Sequence, residues 1–181
     1  ERKIRELEEE WDALYKIRPR EIRYPLKHKT RSVLDKELYE KRRSGENPIM
    51  IEHPVEYKGH ILRSKNEVMA CQVVEQLGYD YKTEINIVTG KFESFSPDIT
   101  IYLNIVEKPV ALEVDGAMDQ KGYLIKSIDR KQKYIAAGFK EFRDVIFFRL
   151  NDGYSFDTGR LKALIDAALL TNMENIVLPE D

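Results

Sequence analysis

Hydrophobic and polar positions alternate along two neighbouring segments near the middle of the chain. In 98–103, Ile99, Ile101 and Leu103 fall on one side of an extended strand, with Asp98, Thr100 and Tyr102 on the other. In 109–115, Val110, Leu112 and Val114 share one side, leaving Ala111, Glu113 and Asp115 opposite. The short connection between them predicts an antiparallel pair. Around this pair the pattern predicts a helix over 64–77 closed by Gly78 and a strand over 81–88 ended by a turn at Thr89-Gly90. A second helix is predicted over 120–137, with Leu124, Ile125, Ile128 and Ile135 facing inward and Gly138 as its stop. An apolar strand follows over 144–150, a turn at Asn151-Asp152-Gly153, and a last helix over 157–171.

Upstream of residue 63 the pattern weakens. Residues 1–15 carry apolar side chains at helical spacing (Ile4, Leu7, Trp11, Leu14, Tyr15) and predict a short amphipathic helix. Residues 18–62 are irregular, with Pro19, Pro25, Pro48 and Pro54 as breakers and a short helix over 33–42. The expected division is an N-terminal helix and basic extension over 1–62, a regular domain over 63–172 and a tail over 173–181. Its order is α-β-β-β-α-β-α, which implies an α/β fold with a mixed β-sheet flanked by helices.

Putting both apolar sets of 98–103 and 109–115 on the core brings Asp98 close to Glu113 and Asp115. Strands are depleted in Asp and Glu. Three carboxylates at one corner of a sheet also raise each other's pKa, a penalty that a bound cation removes. All-oxygen donors suit a hard ion, Mg²⁺ or Mn²⁺, rather than zinc.

Composition adds three points. The 181 residues and 42% hydrophobic content fit one domain with a sizeable core. The net charge of −2 hides an acidic 1–15 followed by a strongly basic 16–43 that includes Lys27, Lys29 and Arg31. Such a run suits a polyanion and equally suits a solvated segment. The single cysteine, Cys71, excludes a disulfide framework and a cysteine-based zinc site. It reads as a small buried hydrophobe. No apolar run has the length of a membrane span, and no signal peptide is visible. The expected setting is therefore cytoplasmic, without a membrane partner. The chain opens on Glu rather than Met, as expected of a piece of a longer protein.

Five stretches together resemble the PD-(D/E)xK nuclease superfamily, and within it a branch of bacterial and phage nuclease-like domains. They are Arg63-Ser64-Lys65-Asn66-Glu67 opening a helix, Ser96-Pro97-Asp98-Ile99-Thr100-Ile101-Tyr102, and Glu113-Val114-Asp115-Gly116. Then come Tyr123 and Lys126 with Arg130, Lys131 and Tyr134 beyond, and upstream Leu26-Lys27-His28-Lys29-Thr30. The resemblance covers about half the chain and implies a restriction-endonuclease-like core. It implies metal ligation by Asp98 and Glu113, with Asp115 and Glu67 facing the same ion. It also implies nucleic-acid contact through Lys27, His28, Lys29, Arg31, Ser64, Lys65, Lys121, Tyr123 and Arg130.

Asp115 stands where such nucleases usually carry Lys, and a carboxylate cannot supply that positive charge. Lys126 is the expected substitute, with Lys121 as second choice. The implied activity is Mg-dependent hydrolysis of phosphodiester bonds, in DNA. Alternatives stay open: a nuclease-like module that binds nucleic acid or a protein after losing its chemistry, or an interaction domain assembled through 1–15. A homodimer cutting opposite strands is one arrangement. Ser64-x-x-Glu67 is also a capping box, Asp98 after Pro97 also suits a strand start, and Lys126, Arg130 and Lys133 also suit a solvated helix face.

Overall fold

The computed structural model describes residues 26–90, 93–116, 121–150 and 155–177. The expected helix over 1–15, most of the basic extension before Leu26 and the turn at 151–153 lie outside them. The elements in chain order are α1 (Lys36–Lys41), a hairpin of β1 (Val55–Tyr57) and β2 (His60–Leu62), α2 (Lys65–Gln76) and β3 (Asp80–Thr83). They continue with β4 (Ile87–Val88), β5 (Ser94–Phe95), β6 (Ile99–Leu103), β7 (Lys108–Asp115), α3 (Lys121–Ala136), β8 (Val145–Arg149) and α4 (Thr158–Met173).

One four-stranded sheet organises the fold, in the order β3-β6-β7-β8. β3 and β6, and β6 and β7, pair antiparallel, with Ile99 opposite Leu112 and Ile101 opposite Val110. β7 and β8 run parallel, with Glu113 opposite Phe147 and Asp115 opposite Arg149. Parallel neighbours need a crossover, and α3 supplies it. The sheet is thus mixed and flanked by helices.

Alternation along β6 and β7 gives the sheet two apolar faces. One carries Ile99, Ile101, Val110, Leu112 and Val114 against Cys71 and Val74 of α2 and Leu161 and Ile165 of α4. The other carries Ala111 and Phe147 against Tyr134 of α3, Phe139, Leu34 and Tyr39. Cys71 is buried and free, as its setting implied. Leu34, Tyr39 and Leu62 all belong to these clusters, so the part of the extension from Leu26 onward packs as a layer of the fold.

Two expectations are corrected. The strand over 81–88 is broken into β3 and β4, because Glu84 adopts a left-handed backbone at φ 48° and ends the ladder with β6. The inward face of α3 is reversed: Ile125, Ile128 and Ile135 are 57%, 42% and 54% exposed, while Ser127 and Tyr134 are buried. Helix periodicity identified the stripe but not its side. The sheet edge opposite α3 carries acids, so polar side chains are needed there and the isoleucines turn away. Among the described residues no helix is long and apolar enough to cross a membrane.

A carboxylate cluster beneath helix α3

β6 begins, and β7 ends, at the same edge of the sheet. That geometry puts Asp98, just before β6, beside the last turns of the β7 ladder. Its Oδ2 accepts from the amide of Val114 at 2.8 Å, which pins the carboxyl between the strands. Glu113 projects from β7 on the face turned to α3, as the alternation requires. Glu67 comes from the first turn of α2. Two cavities, about 540 and 430 Å³, meet here and share Arg63, Asp98 and Arg130 in their walls. Glu113, Tyr134 and Lys133 line the first; Glu67, Ser64 and Tyr123 line the second.

The electrostatics are those of crowded acids in a low-dielectric site. Asp98 keeps part of its surface open to the cavities, yet its carboxyl is desolvated. Burial, then Glu113 and Glu67, push it well above the usual carboxylate range. Glu113 is raised as well, by burial, although Arg130 and Tyr134 work the other way. Glu67 is raised by burial against the pull of its own hydrogen bonds.

Part of this negative charge is answered from α3. Arg130 Nη1 donates to Glu113 Oε2 at 2.7 Å and reaches Asp115 Oδ1 at 3.5 Å. Burial opposes the guanidinium's charge, but Glu113, Asp98 and Asp115 outweigh it and raise its pKa. Tyr134 Oη donates to Glu113 Oε1 at 2.5 Å, and Ser127 Oγ donates to Asp115 Oδ2 at 2.5 Å. Tyr123, Ser127, Arg130 and Tyr134 recur at i, i+4, i+7 and i+11, so one polar stripe of α3 faces the cluster. That spacing is legible in the sequence and is the signal that finds Ser127 and Tyr134, which the motif reading left without roles.

The other expected residues are placed as follows. Ser64 caps α2, its Oγ accepting from the amide of Glu67 at 3.2 Å and donating to Glu67 Oε1 at 2.9 Å. Glu67 reaches back to the amide of Arg63, one residue before the cap. The capping role is therefore present, and it leaves Glu67 at the cavity wall. Asp115 is buried; it accepts from Ser127, pairs with Arg130 and lies 4.0 Å from Arg149 Nε. It lines neither cavity. Lys126, Lys121 and Lys65 are exposed and line neither cavity. Arg130, expected only as a nucleic-acid contact, occupies the place beside Glu113 that was assigned to Lys126. Arg63 and Asn66, part of the motif over 63–67 but given no role by it, line the cavities, as does Asn47.

Lys27, His28, Lys29 and Arg31 are not brought to the cluster. His28 bridges Ile176, the Lys29 amide donates to the Asn175 carbonyl, and Lys29 Nζ donates to the Glu174 carbonyl. Leu26 is tied to Glu107 and Ser32 to Lys108, at the start of β7. Lys108 lies five residues from Glu113 along that strand, a separation on the order of 17 Å. The segment sits there because its backbone pairs with the end of α4. His28, half-buried, is lowered by burial and then by Lys108. Arg31 is exposed.

The donor chemistry can be weighed against a divalent ion. Among the described residues no three His, Cys, Asp or Glu side chains converge as a ready ligand set. Asp98 and Glu113 are oxygen donors on adjacent strands beside open cavities, and Mg²⁺ is commonly held by one or two carboxylates with water and substrate phosphate completing its shell. The pair fits such an ion. No family model, no curated protein and no solved structure matches this chain.

Proposed function

We propose that this protein is a metal-dependent nuclease of restriction-endonuclease-like fold that hydrolyses phosphodiester bonds in DNA. The observation that carries the reading is Asp98, pressed electrostatically by both Glu113 of β7 and Glu67 of α2, beside two open cavities. Desolvated like charges are costly to keep, and a site that gathers them suits a cation and a phosphate. The element order α2-β3-β6-β7-α3-β8 also supports it, since it places both acids on neighbouring strands.

In this reading Asp98 and Glu113 hold Mg²⁺ or Mn²⁺, and Glu67 adds negative charge behind them. The ion, when bound, polarises a phosphoryl oxygen and lowers the pKa of its water. Tyr134 orients Glu113. Arg130 supplies the positive charge that Asp115 cannot, and Asp115 with Ser127 steadies Arg130 on its helix. Arg63 and Lys133, on the cavity walls, face the phosphates that flank the scissile one.

One observation favours a second reading, a nuclease-like module that binds without cutting. Glu113 already has Arg130 and Tyr134 as partners, so the chain can neutralise it internally. The test is to incubate the protein with single- and double-stranded DNA and RNA, with Mg²⁺, Mn²⁺ or EDTA. Metal-dependent cutting that Asp98→Ala and Glu113→Ala abolish, with binding spared, upholds the nuclease. Salt-sensitive binding with no cutting under any condition sinks it in favour of the second reading.

A further inference from the structure

One group of side chains beside the carboxylates is left unused by the chemistry above. Pro48, Ile49 and Met50 follow one another in the loop before β1, and all three are exposed, Ile49 at 67% and Met50 at 87%. Pro48 and Ile49 belong to the wall of the larger cavity, which they share with Asp98, Glu113 and Lys133. Single exposed apolar side chains are ordinary. Here two large ones stand in succession beside a cavity that holds two acids and three bases.

The backbone that presents them is fixed. The Ile49 amide donates to Asn47 Oδ1 at 3.1 Å, and the Ile49 carbonyl accepts from Arg63 Nη2 at 2.8 Å. Asn47 Nδ2 and Arg63 Nε both donate to Glu84 Oε1. Glu84 is buried and takes the left-handed backbone that ends β3. Pro48 restricts the chain further. One buried carboxylate thus grips, through two side chains, both polar groups of the Ile49 backbone. This ordering buries neither Ile49 nor Met50. It benefits a partner from outside, because a preordered group loses little entropy on binding.

On the nuclease reading, a phosphate of duplex DNA enters this cavity. Neighbouring steps of one strand are about 3.4 Å apart. A side chain in the same cavity therefore meets the base steps next to the reacting phosphate. Ile, Met and Pro are among the side chains that proteins insert between base steps, unstacking and kinking the duplex. Pyrimidine–purine steps yield most readily.

We propose that Ile49 and Met50 form a wedge that enters the base stack of duplex DNA beside the phosphate held at Asp98 and Glu113, and that the wedge selects flexible pyrimidine–purine steps. The wedge rests on the nuclease reading for its partner, and its test separates the two.

Duplex DNA rich in TA steps is bound with Ca²⁺ in place of Mg²⁺ and treated with permanganate, which oxidises unstacked thymines. The parent should make thymines at the bound step reactive. The double variant Ile49→Ala, Met50→Ala should lose that reactivity with its far-UV circular dichroism unchanged, because both side chains are exposed. Its cutting of paired duplex in Mg²⁺ should fall about 10-fold or more. A mismatch at the same step should restore most of that loss, since a mismatched base costs least to unstack. Leu170→Ala alters a comparably exposed residue on α4 and should match the parent. Reactivity or duplex cutting that survives the double variant, or a loss that the mismatch does not restore, overturns the wedge. A parent that cuts without exposing any thymine also overturns it and leaves the nuclease standing. Reactivity lost in the double variant of a parent that never cuts upholds the wedge and sinks the nuclease. A parent that binds no DNA sinks both.

Discussion

Arg130 holds Glu113 from the helix above it, Nη1 to Oε2 at 2.7 Å. The side chain of Glu113 is 4% exposed and that of Arg130 39%. The carboxylate is therefore committed to the interior, while the guanidinium keeps one side toward the cavities. A cation held in this way can neutralise the acid in the free protein and still meet a phosphate that enters from outside.

Arg130→Ala should leave Glu113 and Asp98 with less compensation and destabilise the fold. Because the guanidinium is partly solvated, the expected loss is about 1–3 kcal/mol, below that for a fully buried pair. Removing the competing cation should at the same time strengthen stabilisation by Mn²⁺. Thermal melts with EDTA and with Mn²⁺ check both. A variant with parental stability and no gain in metal response would show that Arg130 is not neutralising the cluster.

Asp98→Asn should stabilise the metal-free protein at neutral pH and, under the proposed function, abolish cutting. The folded carboxyl is raised well above its unfolded value, by burial and then by Glu113 and Glu67. Above the unfolded value near 3.8 the unfolded chain releases this proton before the folded one does. Stability contributed by Asp98 is therefore full below that value and declines as pH rises toward the folded pKa. Asn keeps an acceptor for the Val114 amide and removes the titration. Urea melts across pH should show a smaller alkaline decline in the variant than in the parent, and Mg²⁺ should narrow the gap by stabilising only the parent.

Much of this arrangement is legible in the sequence, and the losses have physical causes. Alternation in 98–103 and 109–115 places Asp98 and Glu113 correctly, because both strands have one wholly apolar side. It also puts Asp115 on the face of Glu113, but cannot tell that Ser127 and Arg130 close over it. Apolar periodicity turns Ile125, Ile128 and Ile135 inward because it assumes an apolar neighbour, and here the neighbour is a row of acids. The expected substitute cation is Lys126, then Lys121, whereas Arg130, with 123, 127 and 134, completes the polar stripe that faces the acids. For the basic segment 27–31 the sequence suggests contact with nucleic acid but no position; backbone pairing with Ile176 and Asn175 sets it at the far end of the sheet from the acids.

That far end has its own buried charges. Asp144 accepts from Arg143 Nε and Nη2 and from Ser32, and lies 3.2 Å from Lys108 Nζ. Burial opposes its ionised form, but Lys108, Arg143 and Ser32 more than offset it and lower its pKa. Asp144→Ala would strand two buried cations and should cost about 3–5 kcal/mol. Asp129→Ala removes only an exposed partner of Lys133 and should cost about 0.5 kcal/mol or less. Urea denaturation of the two variants separates these values, and equal costs would contradict the buried network.

Tyr134→Phe isolates the hydroxyl that orients Glu113. The ring packs against Phe95 at 4.6 Å, Phe139 at 4.9 Å and Phe147 at 5.7 Å between centroids, and Phe preserves all three contacts. What is lost is the 2.5 Å hydrogen bond to Oε1. A buried carboxylate oxygen left without that donor should lower stability by about 1–3 kcal/mol. If Glu113 ligates a divalent ion, loss of its orienting partner should weaken Mn²⁺ affinity by about 10–100-fold. Arg130→Ala should shift that affinity the opposite way, because Arg130 competes for the same carboxylate while Tyr134 only aims it. Titration calorimetry with Mn²⁺ on the two variants tests this opposition. Affinities that move in the same direction, or do not move, would remove Glu113 from the metal site and leave the hydroxyl with a structural hydrogen bond alone.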